Sequence, residues 1–97
     1  MLTIEEIKAK FEPIFAINNV KQAILFGSHA TGVARIISDI DLVVDIHEEF
    51  DALDFFGMKA QLEDSLNKPV DLIAKFEILP NSPIDLEVKQ KGVLIYG

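Results

Sequence analysis

The sequence predicts a single α/β (α+β) domain, a small mixed β-sheet flanked by helices. Segments of helical and strand periodicity alternate in the order α-β-α-β-α-β-α-β, with no internal repeat, linker or low-complexity stretch. The composition, 49% hydrophobic and 26% charged, suits one globular core, and 97 residues are too few for two. The connection between the first two strands spans only residues 27–38. That is near the minimum for a parallel crossover, so antiparallel pairing there is open and a mixed sheet is expected.

Thr3 followed by Glu6 forms a capping-box pattern, and Ile4, Ile7, Phe11 and Ile14 recur at helical spacing, giving a first helix. Pro13 is expected to end or kink it, because its ring clashes with the carbonyl four residues back. Asn18-Asn19 reads as a turn, and "VKQAILF" is a strand stopped by Gly27. Residues 28–38, rich in small side chains, suit a short helical turn and a loop. "DIDLVVDI" at 39–46 is the second strand, with Ile40, Leu42 and Val44 on one face. Asp51 caps a helix to about Leu66, with Phe55, Met58, Leu62 and Leu66 on one stripe. "NKP" breaks it and "VDLIAKF" is a third strand. Ser82, Pro83 and Gly92 mark the cap, first turn and end of a last helix, and "VLIY" closes as a fourth strand.

Composition narrows the function classes. Sixteen acidic residues against nine basic give a net charge of −7, which disfavours binding along a phosphate backbone. The eight lysines are scattered and Arg35 is the single arginine. A small molecule or another protein is the expected partner, with no direct nucleic-acid contact. Without cysteine there is neither a disulfide framework nor a thiolate metal site. No apolar run approaches the ~20 residues that cross a bilayer. The start, "MLTIEEIKAK", has no signal-peptide pattern, so a cytoplasmic location and no membrane contact are expected.

The informative stretch is "LFGSHATGVARIISDIDLVV", residues 25–44. Asp39 and Asp41 share one strand face, ~7 Å apart at Cα, where like charges repel and resist desolvation. Two carboxylates at that spacing suit one or two divalent cations. An oxygen-only donor set points to a hard ion such as Mg²⁺, whose remaining positions are filled by water and substrate phosphate. Gly27-Ser28 at the strand end supplies the complement: close backbone approach, a hydroxyl donor and amides facing an anion. Asp71, in "PVDLIAK", is another acid where burial is expected. It is preferred over Asp45 as the third carboxylate of a two-metal site and as general base for an acceptor hydroxyl.

Gly27-Ser28, ten residues, then Asp39-Ile40-Asp41 resembles the G-S-x₁₀-D-x-D motif of the minimal nucleotidyltransferase (MNT) family, within the polymerase-β-like superfamily. "ILF" before it, Ala34-Arg35, "SDIDLVV", Asp71 and "KGVLIY" match as well. The resemblance implies a polymerase-β palm-like nucleotidyltransferase fold, ATP as substrate, two Mg²⁺ ions and transfer of AMP to a hydroxyl. It assigns Asp39, Asp41 and Asp71 to catalysis and metal binding, and Gly27, Ser28 and Arg35 to the nucleotide. It also implies a helical HEPN-type partner, the toxin of a toxin–antitoxin pair, as protein acceptor; homo- or hetero-oligomers are open. The family often carries arginine after Gly-Ser and two residues on, where this chain has His29 and Thr31.

"GSHATG" lacks the Lys-Ser/Thr of a P-loop, and Val43 and Val44 fall where a calcium loop needs a ligand and a glycine. Asp39 and Asp41 on a solvated edge strand would instead discourage edge pairing. Asp71 could be a strand-end acid by the "NKP" turn. A non-catalytic antitoxin acting by occlusion, and a small-molecule nucleotidyltransferase acting on a compound such as an aminoglycoside, are the functional alternatives. His29 and His47 read as loop and surface residues, and the Phe55, Phe56 and Met58 cluster as core with a remainder for a partner surface.

Overall fold

The computed structural model describes residues 2–35 and 38–97. Helix α1 (Ile4–Ile17) leads into β1 (Gln22–Phe26), the short helix α2 (Ser28–Thr31) and β2 (Ile40–Asp45). Helix α3 (Ala52–Leu66), β3 (Val70–Ala74), a 3₁₀ turn at Lys75–Glu77, α4 (Pro83–Lys91) and β4 (Val93–Tyr96) follow. Ile36 and Ile37, in the predicted 28–38 segment, lie outside the described residues.

The helix ends follow the expected side-chain chemistry. Thr3 Oγ1 accepts from Glu6 N–H while Glu6 Oε1 accepts from Thr3 N–H, both at 3.1 Å, so the capping box closes. Asp51 Oδ1 accepts from Leu53 and Asp54 N–H, and Ser82 Oγ from Asp85 N–H. Pro13 is the one departure: α1 runs through it to Ile17. The ring removes one backbone bond, but Phe15 beyond it is fully buried and stacks edge-on against Phe11 at 5.9 Å. Burying such a side chain contributes about 1.5–3 kcal/mol, which offsets much of the proline's cost of roughly 3 kcal/mol.

The sheet order is β3-β2-β1-β4. β1 pairs antiparallel with both β2 and β4, and β2 pairs parallel with β3, so the sheet is mixed as predicted. One face carries Leu25, Ile40, Leu42, Val44, Leu72 and Ile95, sealed by Ile7, Phe11 and Phe15 of α1 and Met58 and Leu62 of α3. Phe55 and Leu66 pack at its margin, and Phe56 is the exposed remainder of that cluster, its ring edge-on to Phe55 at 6.0 Å. The other face holds the side chains that alternate with this core; α4 lies over it at β1, and Lys75 of the 3₁₀ turn reaches Asp45 on it. Among the described residues no helix is long and apolar enough to cross a membrane.

Candidate active site

The predicted carboxylates come together on the α4 face. Asp41 and Asp71 are register partners in the parallel β2–β3 pair, so they stand side by side on adjacent strands, about 4.8 Å apart along the hydrogen-bonding direction. Asp39 is exposed, two residues before Asp41 on the same face, and Asp45 lies beyond, 4.0 Å from Lys75 Nζ. On Asp41's other side is Phe26, the last residue of β1, so the Gly27-Ser28 turn leaves the sheet beside the acids.

Gly27 is required there for two reasons. Its φ of +74° is a conformation L side chains rarely adopt, and a Cβ would collide with Asp41 Oδ2. The carboxylate therefore lies directly against the turn. Asp41 is partly buried, and its pKa is pushed up to about 6, first by desolvation and then by the charges of Asp71, Asp39 and Glu87. Four acids converge on one spot with no positive side chain among these causes.

Glu87 was not expected from sequence. It projects from α4, and its Oε2 accepts from Gly27 N–H at 3.1 Å. Ser82 and Pro83 located α4 along the chain, but its weak amphipathicity gave no signal for the face it turns to the sheet.

His29 and Thr31, next along from Ser28, make contacts of their own. His29 is buried, not a loop residue, and its Nε2 lies 3.3 Å from the Ser38 carbonyl oxygen. A carbonyl only accepts, so this contact places the proton on Nε2, and Nδ1 has no partner among the described residues. Lys68 Nζ donates to the same carbonyl at 2.9 Å, so the residue preceding Asp39 is held from two sides. Thr31 Oγ1 folds back to the Gly27 and Ser28 carbonyls at 3.4 Å. Arg35 is exposed and lines a separate cleft of about 340 Å³ with His29, Glu6 and Lys68. Its backbone N–H donates to Ser38 Oγ, closing the turn before Asp39.

The glycine turn thus meets Asp41 of β2, and Asp71 stands in register with it on the parallel neighbour. The polymerase beta nucleotidyltransferase family pattern matches residues 5–97. The chain belongs to this nucleotidyltransferase family. A Methanocaldococcus jannaschii protein named as a candidate protein adenylyltransferase is 39% identical over 79 residues, covering 81% of this chain and 85% of its own. Protein adenylyltransferase MntA of Thermococcus cleftensis is 35% identical over 79 residues, 77% of this chain and 80% of its own. Among solved structures, a candidate minimal nucleotidyltransferase superposes with a TM-score of 0.79 at 28% identity, covering 95% of both chains. A toxin–antitoxin crystallised with AMP-PNP gives 0.77 at 24% identity, over 93% of this chain and 73% of that one. An MNT antitoxin complexed with the tri-AMPylated HEPN toxin of Shewanella oneidensis gives 0.72 at 20% identity, over 98% and 73%.

The donor set fits a hard cation: the acids around Asp41 offer carboxylate oxygens alone, and their mutual repulsion is what a cation would relieve. Among the described residues no three acids or histidines form a preassembled metal cage. A cation here needs further oxygens from elsewhere, as magnesium takes from water and substrate phosphate.

Proposed function

We propose that residues 1–97 act as a single minimal nucleotidyltransferase domain, in the cytoplasm, moving AMP from ATP to a hydroxyl on a HEPN-type toxin and so neutralising it. The observation that carries the reading is the placement of Asp41 against Gly27 on one side and in register with Asp71 on the other. Relatives named protein adenylyltransferases, and a fold neighbour bound to an AMPylated HEPN toxin, support the acceptor class. ATP as substrate is supported by the neighbour crystallised with its analogue AMP-PNP.

Gly27 and Ser28 receive the phosphates, the glycine by admitting them close to the backbone and the serine through its hydroxyl. Asp39 and Asp41 would hold magnesium together with the triphosphate, and Asp71 a second ion on the acceptor side. Bound magnesium supplies charge neutralisation and lowers the pKa of the acceptor hydroxyl. Asp71 orients that hydroxyl and takes its proton. The freed oxygen bonds to the α-phosphorus, the α–β bridging bond breaks, and pyrophosphate leaves with its electron pair. Arg35 serves the phosphates only if its side chain leaves the cleft beside His29.

The inward His29 and folded-back Thr31 favour one competing reading, a non-catalytic antitoxin that acts by occlusion. Incubation with ATP labelled at the α-phosphate, Mg²⁺ and a purified HEPN-type protein separates the two. Label on the partner, lost in the Asp39→Asn/Asp41→Asn variant, is expected. Full neutralisation without label, unaffected by the variant, refutes transfer.

A further inference from the structure

Glu87 is the one acid at the site that the transfer chemistry leaves without a task. It reaches Gly27 from α4, sixty residues away in sequence, through a single bond of 3.1 Å to the glycine N–H. That amide lies just past the end of β1, where the sheet ladder stops at Phe26. A half-buried amide needs an acceptor, and a carboxylate makes a stronger bond than a neutral one. Gly27 sits at φ +74° and ψ −155°, outside the strand and helix regions, so its geometry depends on what holds its two peptide groups. On the far side, Gly27 O accepts from Ala30 and Thr31 N–H at 3.1 and 3.3 Å, which fixes the turn to α2. Glu87 fixes it on the near side.

The same glycine is the surface on which Asp41's carboxylate rests. A rotation of the Gly27 peptide would move the Asp41 oxygens and the Ser28 hydroxyl relative to each other. Helix α4 has no fully buried residue of its own; Glu87 and Val88 are half-buried, and the chain runs from it through Gly92 straight into β4. We infer that Glu87 is a positioning residue for nucleotidyl transfer: by holding the Gly27 amide from α4, it locks the glycine turn that sets Asp41 and Ser28 in register for the triphosphate. This rests on the transferase reading above and adds a residue that acts through the turn without touching substrate.

The test compares Glu87→Ala and Glu87→Gln in the full chain. Glutamine keeps an acceptor oxygen and loses the charge; alanine loses both. With α-labelled ATP, Mg²⁺ and the partner protein, Glu87→Ala is expected to lower kcat about 10- to 100-fold, the range of a small misplacement of reacting groups. Glu87→Gln should restore kcat to within about threefold of wild type, since it keeps the tether. The KM for ATP should change much less than kcat in both. A second readout needs no activity: the Gly27 amide proton, assigned by NMR, should move upfield in Glu87→Ala and less so in Glu87→Gln. Wild-type kcat in the alanine variant, equal impairment of the two variants, or an unmoved Gly27 resonance would overturn the inference. If the wild-type chain transfers no label, the transferase reading fails, while the Gly27 resonance still decides whether the tether exists.

Discussion

The two faces of β2 are built from alternate residues of one hexapeptide and do opposite things. Ile40, Leu42 and Val44 point into the core against α1 and α3 and are fully buried. Asp41 and Asp45 point the other way with buried Val43 between them, and Asp41 meets Asp71, Glu87 and the Gly27 turn. The first face gains free energy from every side chain it removes from water. The second gathers like charges and pushes Asp41's pKa up to about 6, so it costs stability when ionised. On the proposed function, a cation-bound ligand supplies the favourable contribution that the acid face lacks.

The contrast can be broken most completely on the acid face. Asp39→Asn/Asp41→Asn should cut AMP transfer by at least ~10³-fold, about 4 kcal/mol of transition-state stabilisation, with an unchanged circular-dichroism spectrum. On the core face, Leu42→Ala should destabilise the chain by about 2–5 kcal/mol in urea unfolding, with transfer per folded molecule retained. Gly27→Ala joins the two effects: positive φ and the collision with Asp41 should cost about 1–3 kcal/mol and abolish nucleotide binding, read by calorimetric titration.

The smallest and sharpest effect comes from Asp71→Asn, which removes the like charge in register with Asp41. Asp41's folded pKa is raised from its ordinary 3.8 to about 6, so the folded state holds that proton more tightly than the unfolded chain. The resulting stabilisation is fully present below pH 4 and is lost as pH rises through about 6. Metal-free Asp71→Asn should therefore be more stable than wild type by about 0.5–1 kcal/mol at pH 7.5, and the gap should close near pH 4. The same protonation should weaken Mg²⁺ binding and transfer below about pH 6 in the wild-type chain.

Much of this was legible in the sequence because it is written in local chemistry. Thr3, Asp51 and Ser82 mark helix starts through their own hydrogen bonds, and the period of two in "DIDLVV" separates core from acid face without a fold. The G-S and D-x-D elements were readable because both the turn and the alternation are short-range. Pro13 misled because the packing of Phe15 lies outside any local rule. Glu87 was invisible because its partner, Gly27, is sixty residues away and α4 has no buried stripe to give its orientation. His29 reads from sequence as a loop residue. Its burial and its contact with the Ser38 carbonyl appear only once α2 and the turn before Asp39 are side by side.

The most direct test of the account is thermal unfolding of wild type and Asp39→Asn/Asp41→Asn at pH 7.5, each with and without Mg²⁺ and a non-hydrolysable ATP analogue. Without ligand the double variant should unfold at the higher temperature, because its repulsion is gone. With ligand a hundredfold above Kd the wild type should gain about 2.7 kcal/mol and overtake it, while the variant barely moves. An equal gain in both proteins, or a variant less stable than wild type without ligand, would contradict the claim that the acid face is completed by a metal-bound nucleotide.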